Sequence, residues 1–205
     1  YSCDWSSDVY SSDLARAVAE KEGMPEERLI FGNGAADLIF RLTAAIKPEN
    51  ALIPAPTFAE YEQALRSAGC GVGIHALCEE NGFALGEGFL SELTDDLDLI
   101  FLCNPNNPTG RFIERDFLRK VLDLCEKKNI FAVVDECFLD FVTDPQAVTV
   151  KDWTAEYTRL FILRAFTKNY AMPGLRLGYG ICGNRKLLDR LTAAGQPLSV
   201  SLLAQ

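Results

Sequence analysis

Short runs that are apolar at nearly every position alternate with longer amphipathic stretches along most of this chain, and no other feature limits its fold so tightly. The runs are "RLIF" (28–31), "NALIP" (50–54), "GVGIHAL" (71–77), "LDLIFLC" (97–103), "IFAVVDE" (130–136), "RLFILRAF" (159–166) and "RLGYGIC" (176–182). Several are apolar on both alternating faces, which requires cover on both sides, the situation of a parallel sheet between helices. Helical patterns fall between them at about 35–47, 58–68 and 114–128, the last closing with Lys127, Lys128 and Asn129, and a further one opens at "LARAVAEKEG" from Leu14. The pattern predicts an α/β fold with a mostly parallel central sheet flanked by helices.

With 205 residues, 48% of them hydrophobic, the chain can bury the core of one large domain. A formal net charge of -9 gives no general attraction to nucleic acid or to anionic membranes, and neither is expected as a partner. Seven cysteines are scattered without a C-x-x-C pair, and the single histidine, His75, has no ligand-like neighbours in sequence. A metal site is therefore not expected, His75 reads as a structural or surface-facing strand residue, and the free thiols suit a reducing cytoplasm. No apolar run approaches a membrane span.

The amino-terminal "YSCDWSSDVYSSDL" is Ser- and Asp-rich without periodicity, so residues 1–13 read as a junction and 14–205 as one domain. The chain stops at "SVSLLAQ" inside an apolar pattern, and truncation at both ends is expected.

In sheets of this kind ligands sit at the carboxyl ends of the strands. Four such ends carry polar groups. "GNGAAD" (32–37) follows a strand and opens a helix, so its backbone N–H groups could hold a phosphate or simply start a helix. It fails as a dinucleotide fingerprint, because the third glycine would fall at Asp37. "NPNNPTG" (104–110) reads as a tight turn, or as a rigid frame that presents Asn107 to a bound molecule. Asp135 ends a buried strand, where its carboxylate needs a cation or a donor, either a cap or ion pair or a protonated ring nitrogen. Lys168 follows an apolar run; it either snorkels to solvent or is a desolvated amine with a lowered pKa and nucleophilic character. A phosphate-ready helix start, an amide, a carboxylate, a lysine and Arg176 together match what pyridoxal phosphate (PLP) requires.

The motifs "GNGAADLI", "APTFAEY", "NPNNPTG", "VVDECFLDF" and "TKNYAMPGLRLGYG" resemble, in order and spacing, those of the fold type I PLP enzymes. The branch is that of threonine-phosphate decarboxylases and histidinol-phosphate aminotransferases, within the class I/II aminotransferases. The resemblance implies the large PLP-binding domain of the aspartate aminotransferase fold. It implies Lys168 as the residue that takes the cofactor aldehyde covalently and then moves the proton, Asp135 on the pyridine nitrogen and Asn107 on the ring O3′. Phe58 occupies the ring-stacking position, and the backbone at Gly34, Ala35 and Ala36, with Thr167 and Arg176, would hold the phosphate. Pro56 and Pro108 match cis prolines.

Two positions depart from that pattern. Ala165 stands where Ser or Thr commonly donates to the phosphate, and Phe138 stands where many relatives carry a tyrosine that bonds O3′. The D-E-x-F pattern at Phe138, "YAMPGLRLGY", "PTFAEYEQAL" and "QPLSVSLLA" lean towards the decarboxylase, which acts on L-threonine O-3-phosphate to give aminopropanol phosphate for cobalamin. A histidinol-phosphate aminotransferase is the alternative reading, and a non-catalytic aminotransferase-like module of a regulator is a third. By the same likeness, the carboxyl-terminal small domain with its substrate-clamping arginine is expected to be missing, this fragment alone to be inactive, and the full-length protein to be a homodimer.

Overall fold

A computed structural model describes residues 12–168, 173–195 and 200. In chain order its elements are α1 (Ser12–Glu22), β1 (Leu29–Asn33), α2 (Ala35–Ile46), β2 (Asn50–Ala55), α3 (Glu60–Ser67) and β3 (Gly71–Ala76). Then follow α4 (Gly88–Glu92), β4 (Leu99–Cys103), α5 (Arg115–Lys128), β5 (Phe131–Asp135), α6 (Pro145–Val148), β6 (Leu160–Ala165), β7 (Leu177–Cys182) and α7 (Arg185–Ala194). All seven expected strands form, each within two residues of its sequence bounds. The short α4 and α6, and α7, had no place in the sequence reading. Of the junction assigned to residues 1–13, residues 1–11 lie outside the described residues, and α1 begins at Ser12.

The strands form one sheet in the order β1-β7-β6-β5-β4-β2-β3. Pairings from β3 through β6 are parallel, whereas β7 is antiparallel to both β1 and β6. The reason is the length of the connection. Only residues 166–176 join β6 to β7, and a parallel return needs a crossover of a dozen residues or more. As a result the amino end of β7, next to Arg176, lies at the same sheet edge as the carboxyl ends of β4, β5 and β6.

Successive strand residues point to opposite faces, and each face has its own core. On one side Ile100, Leu102, Ala132, Val134 and Ile162 pack with Val18 of α1 and Leu118, Val121 and Leu122 of α5. On the other, Phe101, Cys103, Val133, Phe161 and Leu163 pack with Leu38 and Leu42 of α2, Tyr61 and Leu65 of α3, and Leu187 and Leu191 of α7. Each fully buried Val, Leu, Ile or Phe among these contributes about 1.5–3 kcal/mol. Alternation therefore sends Asp135, after Phe131 and Val133, to the α2/α3 face, and sends Glu136 and Arg164 to the α1/α5 face.

Candidate active site

The register brings the strand ends together: Cys103 pairs with Asp135, Asp135 with Leu163, and Ala165 with Gly178. A cavity of about 280 Å3 opens there, near the lower end of small-ligand sites, about 300 Å3. Gly34, Ala35, Ala36, Phe58, Asn107, Asp135, Phe138, Thr167, Lys168 and Arg176 all line it. It thus gathers into one place every residue that the sequence singled out for PLP. It is also lined by Glu60, Cys103, Cys137 and Ala165. Of these, Ala165 is the position that departs from the family's Ser or Thr. Cys103 and Cys137 were legible as the last residue of an apolar run and a near neighbour of Asp135; Glu60 carried no such signal. A larger, open groove of about 890 Å3 runs past Phe40, Lys47 and Gly69, but its Arg41 is already paired with Asp37 at 2.5 Å.

One wall is the start of α2. Gly34 has φ 81 and gives the helix no side-chain cap, so the first-turn N–H groups of Ala35 and Ala36 are not claimed by a capping side chain. β7 presses against this turn at Gly178, where a Cβ would lie 2.5 Å from the Ala35 nitrogen. The Arg176 guanidinium lies over it too, with Nη2 2.9 Å from where a Gly34 Cβ would be. A positive helix end and a guanidinium face the same corner of the cavity, an arrangement suited to a dianion.

The floor is Asp135, 4% exposed. Its Oδ1 accepts the backbone N–H of Cys137 at 2.9 Å, and its Oδ2 accepts the Tyr61 hydroxyl at 2.6 Å. Burial, and next the Asp135 charge, push the Tyr61 hydroxyl and the Cys137 thiol well above their usual ranges, and the Cys103 thiol up to about 12. All three remain protonated at neutral pH. The thiols are consequently weak nucleophiles, and Asp135 is surrounded by donors.

Of the two readings open for Lys168, the structure favours a side chain that reaches solvent. It is exposed at the mouth of the cavity, with Nζ 5.0 Å from the centre of the Phe138 ring, rather than desolvated within the apolar run. The run ends at Phe166, and the chain turns outward after it. Ala55–Pro56 and Asn107–Pro108 are cis, and so is Asn104–Pro105. His75 lies on β3, 2.7 Å from Glu92 and edge-on to Phe89, far from this chemistry. Among the described residues no metal-binding cluster occurs, no helix is long and apolar enough to cross a membrane, and six cysteines are free.

A profile of the aminotransferase class I and II family matches residues 7–205. The chain belongs to that family. It is 38% identical to a threonine-phosphate decarboxylase from Salmonella typhimurium over 93% of this chain and 52% of that protein. It is 37% identical to a histidinol-phosphate aminotransferase from Leuconostoc mesenteroides, over 95% and 54%. The crystal structure of the histidinol-phosphate aminotransferase from Clostridium acetobutylicum superposes with a TM-score of 0.87 at 32% identity, covering 96% of this chain and 57% of that one. The chain spans about half the length of these relatives. Membership of the family indicates PLP as the cofactor.

Proposed function

We propose that residues 14–205 are the PLP-binding large domain of an enzyme that decarboxylates L-threonine O-3-phosphate. The observation that carries the reading is the convergence of Lys168, Asp135 and Arg176, from the ends of three neighbouring strands, on one cavity beside a bare helix start. This donor set fits PLP. The Ala35 and Ala36 N–H groups, Thr167 and Arg176 would hold the phosphate; Phe58 and Asn107 would meet the ring and its O3′. Asp135 would keep a proton on the ring nitrogen, since its carboxylate is anchored by two donors and faces the cavity. Bound there, PLP supplies an electron sink for negative charge developing at the substrate α-carbon.

The chain's own contribution is positioning and proton transfer. Lys168, exposed beside the cavity and over Phe138, would hold the cofactor and would deliver a proton to the substrate. Phe138 gives that wall no hydroxyl, so beside Lys168 it offers a ring face and no hydrogen-bonding group. Phe138 within the D-E-x-F pattern supports loss of carbon dioxide over transamination, whereas the identities of 38% to a decarboxylase and 37% to an aminotransferase weigh equally. The TM-score of 0.87 to a histidinol-phosphate aminotransferase supports the alternative, transamination of histidinol phosphate or a related amino acid.

Two measurements test this. Mixing the protein with PLP should give a visible absorbance band that Lys168→Ala abolishes; absence of the band, or its survival in the variant, defeats the cofactor assignment and favours a non-catalytic module. Full-length protein given L-threonine O-3-phosphate should release carbon dioxide with no 2-oxo acid present. Strict dependence on 2-oxoglutarate would establish the aminotransferase instead.

A further inference from the structure

Tyr61 lies beneath the cavity without lining it, and the sequence pattern gives it only a core role. It is on the buried face of α3 with Ala64 and Leu65, and none of its surface is exposed. Its ring stacks on Phe101 of β4, with centroids 4.8 Å apart and planes 6° from parallel. A second aromatic neighbour is Phe58, which it meets edge-on at 5.5 Å. Its hydroxyl reaches Asp135 Oδ2 at 2.6 Å, across 74 positions of sequence.

Two cavity residues are thus held by one side chain. Phe58 and Asp135 come from different elements and would meet different parts of a bound ring, its face and its nitrogen. Phe101 stacks on the Tyr61 ring from below, and the same side chain makes both contacts. The groups facing the carboxylate are the Tyr61 hydroxyl from α3, the Cys103 thiol from β4, and both the N–H and the thiol of Cys137 after β5. Only the hydroxyl is a strong side-chain donor.

We propose that Tyr61 is a positioning residue of the cofactor site: its hydroxyl orients the Asp135 carboxylate and its ring backs Phe58, coupling the two groups that meet the PLP ring. The proposal rests on the cofactor reading above. A purely structural tyrosine would satisfy its hydroxyl on Asp135 and affect stability alone. A positioning tyrosine also changes how the bound cofactor titrates, because removing the hydroxyl frees Oδ2 to rotate away from the ring nitrogen.

The test is a cycle of Tyr61→Phe and Asp135→Asn in the full chain loaded with PLP, reading the PLP dissociation constant and the pH midpoint of the visible band. Tyr61→Phe keeps the ring and its stacking. It should raise the dissociation constant about tenfold or more, as expected for a lost hydrogen bond to a charged group, and move the midpoint. In the Asp135→Asn background the same change should add less than twofold. An unchanged midpoint, full additivity, or failure of Tyr61→Phe to fold would overturn the proposal, the last by making the hydroxyl structural. If the unsubstituted chain binds no PLP, the cofactor reading falls and this inference with it. If it binds PLP and Asp135→Asn weakens binding while Tyr61→Phe does not, only the role of Tyr61 falls.

Discussion

Arg164 and Glu136 form a buried ion pair of 2.7 Å on the face of the sheet opposite the cavity, each one residue along its chain from a cavity residue, Ala165 and Asp135. Glu136 also accepts the Thr149 hydroxyl and the Val150 N–H, both at 2.8 Å. Every group aimed at it is a donor. Burial raises the Glu136 pKa and outweighs the opposing pull of the Arg164 charge and of the Val150 and Thr149 donors; with donors alone around it, we assign the carboxylate as ionised at neutral pH. The pair pins the strand ends from which Asp135 and Thr167 emerge.

Arg164→Met would leave Glu136 buried without its cation. The expected loss of stability is about 3–5 kcal/mol, measured by urea unfolding. Combining Arg164→Met with Glu136→Leu should cost less than Arg164→Met alone, since no unpaired charge remains. A double variant as unstable as the sum of the singles would contradict the pairing.

The same face gives a pH dependence. Glu22, at the end of α1, accepts Lys151 Nζ at 2.9 Å and the Tyr179 hydroxyl at 2.5 Å, and lies 4.0 Å from Arg164. Burial alone would raise its pKa; Arg164, Tyr179 and Lys151 outweigh burial and hold it below the ordinary 4.5. The folded chain therefore binds this proton less readily than the unfolded chain. The resulting stability is present above about pH 4.5 and is lost as the pH falls towards the folded-state value. Glu22→Gln should be less stable than the parent at pH 7, and the difference should shrink below pH 4.5, as followed by thermal unfolding.

How much of this was written in the sequence depends on the range of each interaction. The strands were legible because a run such as "IFAVVD" is apolar on both faces, and Asp135 stood out because it breaks that run. Lys168 was found by its position after a strand end, and Arg176 by its place eight residues beyond Lys168 within the motif that resembles the family's. Tyr61 was not, because an aromatic at Tyr61, Ala64, Leu65 spacing satisfies a helix core, and its hydroxyl partner is remote in sequence. Glu22, Glu136, Lys151 and Arg164 were missed for the same reason, as their pairings join α1, β5 and β6 through tertiary contacts alone. The exposure of Lys168 depends on the path of the turn after Phe166, which composition does not encode.

Ala165 supplies a gain-of-function prediction. It lines the cavity at the end of β6, opposite Gly178. A hydroxyl there would face the phosphate corner formed by Arg176 and α2. Ala165→Ser should lower the PLP dissociation constant about two- to tenfold, the range of one added hydrogen bond, in a fluorescence or absorbance titration. Weaker binding would mean that the β6 end does not face the phosphate.

Gly178 separates packing from chemistry at the same corner. Its missing Cβ would lie 2.5 Å from the Ala35 nitrogen and 2.6 Å from the Gly34 carbonyl carbon, both backbone atoms that cannot rotate aside. Gly178→Ala must therefore push the start of α2 away from β7. Overpacking of this kind costs about 1–3 kcal/mol, and it also displaces the Ala35 N–H from the corner that Arg176 covers. Lower thermal stability should thus appear together with a PLP dissociation constant raised about tenfold, as losing one charge-assisted donor predicts. Gly86→Ala, where a Cβ meets nothing within 4 Å, serves as the control and should leave PLP affinity unchanged. A Gly178→Ala protein that loses stability yet binds PLP as tightly as the parent would remove the start of α2 from the phosphate site.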